Sequence, residues 1–308
     1  MSDWEIVADG LKFPEGPVAC ADGSVIVTEI AAGRLTRVLP DGRKETVAET
    51  GGGPNGLAFG PDGALYCCNN GGFEYVEMGG LLVPHGAAKN WAGGSIQRVD
   101  VVSGRVQTLY DRADNAELRG PNDIVFDDAG GFWFTDHGKN FLDQRSRDIT
   151  GIFYAKADGS SCREVIWPAE NPNGVGLSPD GRTLFAADTY TCKLWAYDLS
   201  GPGKVAAQAS LSGNGGRFLY SPPGFTYFDS LGVEASGNIC VATIGQSGIT
   251  VVSPTGELVE FVATDDPFTT NICWGGNDLM TAYVTLSGTG RLARRRWARP
   301  GLRLKGNG

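Results

Sequence analysis

The stretch Asn122–Asp136, which reads NDIVFDDAGGFWFTD, contains the pattern that decides the fold. A polar residue opens an apolar run, Gly130 follows eight positions later, and a second strand-like run begins directly after it. Glycine adopts positive φ in tight turns without steric cost, so the pattern predicts a β-hairpin. Further copies of the pattern open at Glu15, Asn55, Asn173, Asp229 and Asn271. The last of these copies has Leu279 where the others have the turn glycine.

The spacing of the copies predicts the architecture. Their opening residues are 40, 67, 51, 56 and 42 positions apart, and further strand-and-turn segments between them give about four strands per unit. Such units are typical of propeller blades. We therefore predict an all-β, six-bladed β-propeller with a central metal-containing channel, formed by residues 1–308 as a single domain. A strand around Trp4–Ala8 and the run from Arg291 to Leu304 are expected to complete the last blade.

The longest interval between copies contains a glycine-rich insertion in blade 2, at about residues 69–94. Long loops in compact folds are more often functional than simple connections. We expect this insertion to form a lid over one end of the channel, and Trp91 within it to shape the substrate pocket.

Composition excludes several kinds of active site. The 308 residues include only two histidines, His85 and His137, and seven cysteines without a C-x-x-C pair. A zinc site built from His and Cys is therefore not expected, and no G-x-S-x-G motif supplies a serine nucleophile. The N-terminus lacks the features of a secretory signal, and no apolar run reaches the roughly 18 residues of a membrane helix. We expect a cytoplasmic protein with no membrane partner, either a monomer or a small homo-oligomer.

Charge is distributed unevenly along the chain. The net charge is −9, yet the basic C-terminal segment 291–308 has seven Lys and Arg and no acidic residue, which leaves −16 for residues 1–290. One alternative is that the segment binds an anion or a nucleic acid. The other is that it is a solvated strand or tail whose charge balances the acidic remainder of the chain. No aromatic residues interleave with a basic groove, so we expect the second alternative and no nucleic-acid partner.

The opening residues of the six copies share one chemical property. In a propeller, equivalent positions of the innermost strands form a ring at one end of the channel, and here every member has a side-chain oxygen: Glu15, Asn55, Asn122, Asn173, Asp229 and Asn271. Carboxylate and amide oxygens are ligands for hard divalent cations. The alternative is that these residues only cap turns at strand starts. We predict one divalent cation, Ca²⁺ first, with Mg²⁺, Mn²⁺, Zn²⁺ and Fe²⁺ as alternatives.

Several ordered motifs resemble the SMP-30/gluconolactonase/luciferin-regenerating-enzyme family, which includes the regucalcin-type lactonases. The matching segments are FPEGPV at 13–18, GPNGLAF at 53–59, RGPNDIVFDDAGGFWFTD at 119–136, NPNGVGLSPDGRTLFAADT at 171–189, DSLGVEASGNICVA at 229–242 and TNICWGG at 270–276. The resemblance implies a catalytic metal held by Glu15, Asn173 and Asp229. It implies that Asn122 contacts either metal or substrate, that Asp229 also handles the catalytic water, and that Arg119 contacts substrate.

The chain departs from the family pattern at Ser230, where relatives commonly have Gly, and at His137, where they commonly have Pro. The resulting hypothesis is a hydrolase that opens a small lactone, related to a sugar lactone or different from it. Asn55, Asn122, Asn271 and Arg119 are expected to hold the substrate. His137 either contacts the substrate or is a surface loop residue. The alternatives are a phosphotriesterase-type hydrolase, similar to diisopropylfluorophosphatase, and a non-catalytic ligand-binding propeller.

Overall fold

Short β-strands make up nearly all the regular structure of the chain. The computed structural model describes residues 3–114, 116–142, 144, 147–207 and 212–304. In these ranges it contains 27 strands and one three-residue 3-10 helix, η1. None of the helical structure in the same ranges is long and apolar enough to cross a membrane.

The first half of the chain forms an N-terminal strand, two blades and an inserted hairpin. The strand is β1 (Glu5–Ala8). Blade 1 contains β2 (Pro14–Ala19), β3 (Val25–Glu29), η1 (Ile30–Ala32), β4 (Arg34–Val38) and β5 (Lys44–Glu49). Blade 2 and its insertion contain β6 (Pro54–Phe59), β7 (Leu65–Asn69), the hairpin strands β8 (Phe73–Met78) and β9 (Leu81–Ala87), then β10 (Ser95–Val99) and β11 (Val106–Tyr110).

Four more blades follow in chain order. Blade 3 contains β12 (Pro121–Phe126), β13 (Gly131–Asp136), β14 (Thr150–Lys156) and β15 (Cys162–Ala169). Blade 4 contains β16 (Pro172–Leu177), β17 (Thr183–Asp188), β18 (Lys193–Gly201), β19 (Lys204–Val205) and β20 (Arg217–Tyr220). Blade 5 contains β21 (Tyr227–Val233), β22 (Ile239–Ile244), β23 (Gly248–Val252) and β24 (Leu258–Ala263). Blade 6 contains β25 (Thr269–Gly275), β26 (Thr281–Leu286) and β27 (Arg291–Arg296).

The blades close into a ring. Each is an antiparallel sheet, and its first strand contacts the first strands of both neighbouring blades. The N-terminal β1 pairs with β27 as the fourth strand of blade 6, so the two ends of the chain are joined in one sheet. The predicted six-bladed propeller is confirmed. The expected contributions of the N-terminal strand and of the segment after Arg291 to the last blade are both present.

The turns of the repeat have the backbone geometry that the glycine pattern predicts. The glycines of the first five copies have φ between +67° and +89°. In the sixth copy Leu279 takes the same left-handed region, with φ of +52°, although this region is unfavourable for a residue with a Cβ. Its side chain is only 8% exposed and packs in the cluster between blades 5 and 6. Apolar burial therefore offsets backbone strain at this turn.

The hydrophobic core is divided among the joints between blades. Among the described residues, buried side chains form six clusters, and each cluster contains residues of two neighbouring blades. All seven cysteines are free, and five of them are buried in or beside these joints. Because apolar burial is spread around the circle, each blade depends on both neighbours, and the inner strands are held at fixed positions.

Most arginines of the basic segment near the C-terminus form ion pairs with carboxylates of the same chain. Five of its arginines contact carboxylates: Arg291 with Asp265, Arg294 with Glu5, Arg295 with Asp3, Arg296 with Asp278, and Arg299 with both Glu234 and Glu260. The segment thus contains the third strand of blade 6, beside the edge strand β1, and balances acidic residues around it. Residues 305–308, which complete the predicted basic segment, lie outside the described residues.

Candidate active site

Irregular strand pairing places the six ring residues in the channel. The pairing of the first two strands changes register in every blade, and in each case the change lies at or beside the ring residue: Glu15/Val18, Pro54/Leu57, Pro121/Ile124, Pro172/Val175, Phe228/Leu231 and Thr269/Asn271. A β-bulge bends its strand and re-aims a side chain. The repeated irregularity accounts for six polar side chains at equivalent positions on the innermost strands.

Hydrogen bonds between blades orient two of these side chains, those of Glu15 and Asn173. Asn271 Nδ2 donates to Glu15 Oε2 at 2.9 Å, and the backbone N–H of Gly16 donates to the same oxygen at 2.9 Å. On the other side, Ser230 Oγ donates to Asn173 Oδ1 at 3.3 Å. Glu15 and Asn173 therefore each have one oxygen oriented by a neighbouring blade.

Hydroxyl groups on the second strands fix the backbone of the ring. Thr28 Oγ1 donates to the carbonyl oxygen of Asn55 at 2.9 Å, and Thr135 Oγ1 donates to that of Asn173. Ser287 Oγ donates to the carbonyl oxygen of Pro14, directly before Glu15. Each bond joins one blade to the first strand of the next, so the ring is organised before any ligand binds.

Three buried carboxyl groups share the channel. Burial raises the pKa of Glu15, of Asp123 and of Asp229. It raises the pKa of Asp123 to about 7, and the charge of Glu15 adds to the increase at both Asp123 and Asp229. Buried carboxylates that repel one another are stabilised by a bound cation or by a proton.

Asn122 supplies the second indication of a cation. Its Oδ1 atom is buried and has no hydrogen-bond partner in the part of the chain that the structure describes. Buried polar atoms are nearly always satisfied, so an amide oxygen left free beside carboxyl groups is suited to a ligand. Within the same part of the chain, no group of three or more His, Cys, Asp or Glu residues could hold a metal. A cation here would therefore need the amide oxygens of Asn122 and Asn173 as well as Glu15 and Asp229, and this mixed oxygen set suits a hard divalent ion.

Asp123 is a channel residue that the repeat did not identify. The corresponding position is glycine in blades 1, 2 and 4, and there a side chain would collide with the next strand; a Cβ on Gly56 would lie 2.4 Å from the carbonyl oxygen of Asn122. In blade 3 the carboxylate of Asp123 accepts bonds from the N–H of Ile124 at 2.9 Å and of Val175 at 3.3 Å. A carboxylate at a position that is glycine in three of the six blades was the available signal.

The blade 2 insertion crosses the mouth of the channel as a β-hairpin. Leu82 N–H donates to the carbonyl oxygen of Gly288 in blade 6 at 2.8 Å, and Ala87 N–H donates to that of Asn140, between β13 and β14 of blade 3, at 3.1 Å. The insertion, expected as a loop, thus contains two paired strands that are attached at three blades. We refer to the hairpin β8–β9 as the lid.

A buried lysine holds the base of the lid. Lys139 Nζ donates to Asn70 Oδ1 at 3.0 Å and to the carbonyl oxygen of Gly72 at 2.9 Å, and it lies 3.6 Å from the centre of the Phe73 ring. Burial lowers the pKa of Lys139 to about 7. No sequence pattern assigns this residue to the lid, because its partners lie about 70 positions away.

Arg119 and Trp91 lie together at the edge of the lid. The guanidinium of Arg119 is 4.5 Å from the Trp91 ring centre, and its Nε donates to Asp148 Oδ2 at 3.0 Å. Trp91 Nε1 donates to the carbonyl oxygen of Asn70 at 3.1 Å. Both predicted substrate contacts therefore have protein partners that fix them beside the mouth, and their contact with substrate stays a prediction.

The two histidines line one small cavity of about 170 Å³ between the lid and the loops of blades 3 and 4. The ring of His137 lies 5.7 Å from that of Tyr190, and its Nδ1 atom is buried without a hydrogen-bond partner among the described residues. Burial, together with the charge of Lys139, lowers the pKa of His137 to about 4, so the imidazole is neutral at physiological pH. His137 can accept or donate one hydrogen bond beside the mouth, and its contact with substrate stays a prediction.

Comparisons with known proteins agree with the propeller. Residues 13–288 match the model of the SMP-30/gluconolactonase/LRE-like region. A gluconolactonase of Zymomonas mobilis is 23% identical over 306 residues, covering 92% of this chain and 78% of the relative. A lactonase drp35 of Staphylococcus haemolyticus is 27% identical over 258 residues, covering 82% and 70%. The solved structure of regucalcin from Agrobacterium tumefaciens, described as a calcium-binding protein, has a TM-score of 0.70 at 18% identity and covers 96% of this chain and 95% of that one.

Proposed function

The chain belongs to the SMP-30/gluconolactonase/LRE-like family, and on that premise we propose that it is a metal-dependent lactonase. The proposal is supported by the names of its relatives, a gluconolactonase and a lactonase. The observation that carries it is the channel itself, where Asn122 Oδ1, without a partner among the described residues, lies on the ring with the buried carboxyl groups of Glu15 and Asp229.

Glu15, Asn173 and Asp229 would hold the cation, with Asn122 as a fourth ligand or a substrate contact. We expect Ca²⁺, since the donors are all oxygens and the regucalcin relative is described as calcium-binding. When bound, a divalent cation supplies a Lewis acid that polarises the lactone carbonyl and offsets the charge that develops on its oxygen.

Asp229 is the base of the proposed reaction. Its carboxylate takes a proton from water while the water oxygen forms a bond to the carbonyl carbon. The bond between that carbon and the ring oxygen then breaks, and the alkoxide receives the proton that Asp229 had accepted. The product is a hydroxy acid, and Asp229 returns to its ionised form.

Asn55, Asn122 and Asn271 can orient the substrate from the ring, because amides offer both donors and acceptors. Above the ring, the rings of Tyr190 and Tyr227 lie 5.8 Å apart, and Phe225 extends the row, with its ring 5.1 Å from that of Tyr227. Phe225 and Tyr227 lie four and two residues before Asp229 in the chain, and Tyr227 begins the strand β21 that contains Asp229. An aromatic wall favours a lactone with an apolar or flat substituent over a polyhydroxylated one.

The test is hydrolysis of a lactone panel by protein that has been stripped with a chelator and then supplied with Ca²⁺. Activity should disappear on stripping and return on addition, and calorimetric titration should show Ca²⁺ binding with about one site per chain. The panel should contain gluconolactone, apolar lactones and a phosphotriester. Full lactonase activity in the stripped protein would refute the metal-dependent mechanism, and preferential hydrolysis of the phosphotriester would favour the alternative hydrolase.

A further inference from the structure

The lid contains a buried phenol, that of Tyr75 in β8. The ring of Tyr75 packs between Phe13 and Phe73, at centre-to-centre distances of 5.4 Å and 6.4 Å. Phe13 is two residues before Glu15, and it also contacts Phe268, which is three residues before Asn271. These contacts place Tyr75 over the side of the ring where Asn271 is hydrogen-bonded to Glu15.

The Tyr75 hydroxyl is buried and has no hydrogen-bond partner among the residues that the structure describes. Burial, together with the charge of Glu15, raises the pKa of Tyr75 well above its usual value, which keeps the phenol protonated and agrees with a position near the ring. A buried phenol without a partner is uncommon, because a lost hydrogen bond with water is normally replaced. An apolar lid would have needed only phenylalanine at this position, so the hydroxyl points to a ligand.

We propose that Tyr75 donates a hydrogen bond from the lid to the ring oxygen of the bound lactone and stabilises the alkoxide that forms when the ring opens. The inference rests on the proposed lactonase function. The carbonyl oxygen and the ring oxygen of a lactone are bonded to the same carbon. The carbonyl oxygen would be directed at the cation that the oxygen donors of the channel would hold. A hydrogen-bond donor on the lid side is then suited to the ring oxygen of the lactone.

The step balances without a change in Tyr75. Water adds to the carbonyl carbon and gives its proton to Asp229, the bond from that carbon to the ring oxygen breaks, and the proton passes from Asp229 to the alkoxide. Tyr75 keeps its own proton throughout and stabilises the oxygen while negative charge is present. Its contribution should therefore grow with the basicity of the leaving oxygen.

The test compares Tyr75→Phe with the unaltered protein on two six-membered lactones in the presence of Ca²⁺. In δ-valerolactone the leaving oxygen is an aliphatic alkoxide, whereas in dihydrocoumarin it is a less basic phenolate. Removal of the hydroxyl should lower kcat/KM by roughly 30-fold or more for δ-valerolactone and by under about 5-fold for dihydrocoumarin, in line with losses at single oxyanion donors. Tyr220→Phe removes a phenol from the outer part of blade 4 and should change neither value.

Two measurements other than turnover separate this role from a structural one. Calorimetric titration with Ca²⁺ should give the same Kd for Tyr75→Phe and for the unaltered protein. Titration with the ring-opened product 5-hydroxypentanoate should give a Kd about 5-fold weaker in the variant, because its hydroxyl loses the hydrogen bond.

An equal loss on both lactones, or no loss on either, would overturn the role of Tyr75 while the lactonase function stands. Altered Ca²⁺ affinity in Tyr75→Phe would also overturn it, since the residue would then act on the ring rather than on the substrate. Failure of the unaltered, Ca²⁺-loaded protein to open any lactone would instead refute the proposed function and this inference with it.

Discussion

Without divalent cations, the stability of the protein should fall as the pH rises from about 5 to 7.5. Glu15, Asp123 and Asp229 all have a raised pKa in the folded protein, because each is buried. Above the unfolded pKa, the unfolded chain loses these protons while the folded chain retains them. The unfolded state is then favoured progressively until the pH passes the folded pKa, and stability is highest at the acidic end of the range.

The size of the effect follows from Asp123, whose pKa changes from 3.8 to about 7 on folding. Each pH unit between these values costs about 1.4 kcal/mol, so about 3 kcal/mol is lost between pH 5 and 7 from this residue alone. For a chain of this size that corresponds to a decrease in Tm of about 5 °C or more. Bound Ca²⁺ should raise Tm and flatten the profile, because it stabilises the ionised carboxylates.

The assay is thermal unfolding in a chelating buffer and in excess Ca²⁺ at several pH values, with Asp123→Asn as the matched variant. The variant should lose a large part of the pH dependence in the chelating buffer. A flat Tm profile for the chelated, unaltered protein would refute the assignment of mutually repelling buried carboxyl groups to the channel. An unchanged profile in Asp123→Asn would show that another residue is responsible.

Three further changes test separate parts of the structure. Asp229→Asn should lower kcat by about 10³-fold or more while the circular dichroism spectrum is unchanged, and near-normal turnover would exclude Asp229 as the base. Lys139→Met removes two hydrogen bonds at the base of the lid, so KM should rise several-fold and the lid should become sensitive to protease. An unchanged digestion pattern would count against the role of Lys139 in holding the lid. Leu279→Gly relieves about 1 kcal/mol of backbone strain at a positive φ, but it removes a buried side chain that stabilises the fold by about 3 kcal/mol. The urea midpoint should therefore fall, and a rise would show that the strain is the larger effect.

Much of the fold could be predicted because the repeat expresses local backbone requirements. A turn glycine eight residues after a polar residue sets the position of the turn in a hairpin, and this local requirement does not depend on the rest of the chain. The geometry is demanding enough that Leu279 adopts it even without glycine. The same spacing identified the six ring residues, because residues at equivalent positions of a closed propeller all face the channel.

The residues that the repeat did not reveal depend on contacts between distant segments. Tyr75 lies over Glu15 only because the lid reaches blade 6 through Leu82 and Gly288, which are more than 200 positions apart. Lys139 joins the lid from another blade. Hydrophobic periodicity within a segment contains no information on which blade that segment will reach, so these assignments required the structure.

This division between local and distant contacts suggests how the site can change. The ring is fixed by the fold itself, since hydroxyl groups of Thr28 and Thr135 hold the carbonyls of ring residues and the joints between blades fix the strands. The lid is an insertion whose bonds to the propeller are few, so its sequence can vary without disturbing the ring. We therefore expect the oxygen donors to determine the class of reaction that the channel supports, and the lid and the aromatic row beyond Tyr190 to determine which lactone reaches it. Exchanging the lid should then alter the preference among lactones while Ca²⁺ affinity stays constant, and a parallel change in both would show that the lid and the ring are a single unit.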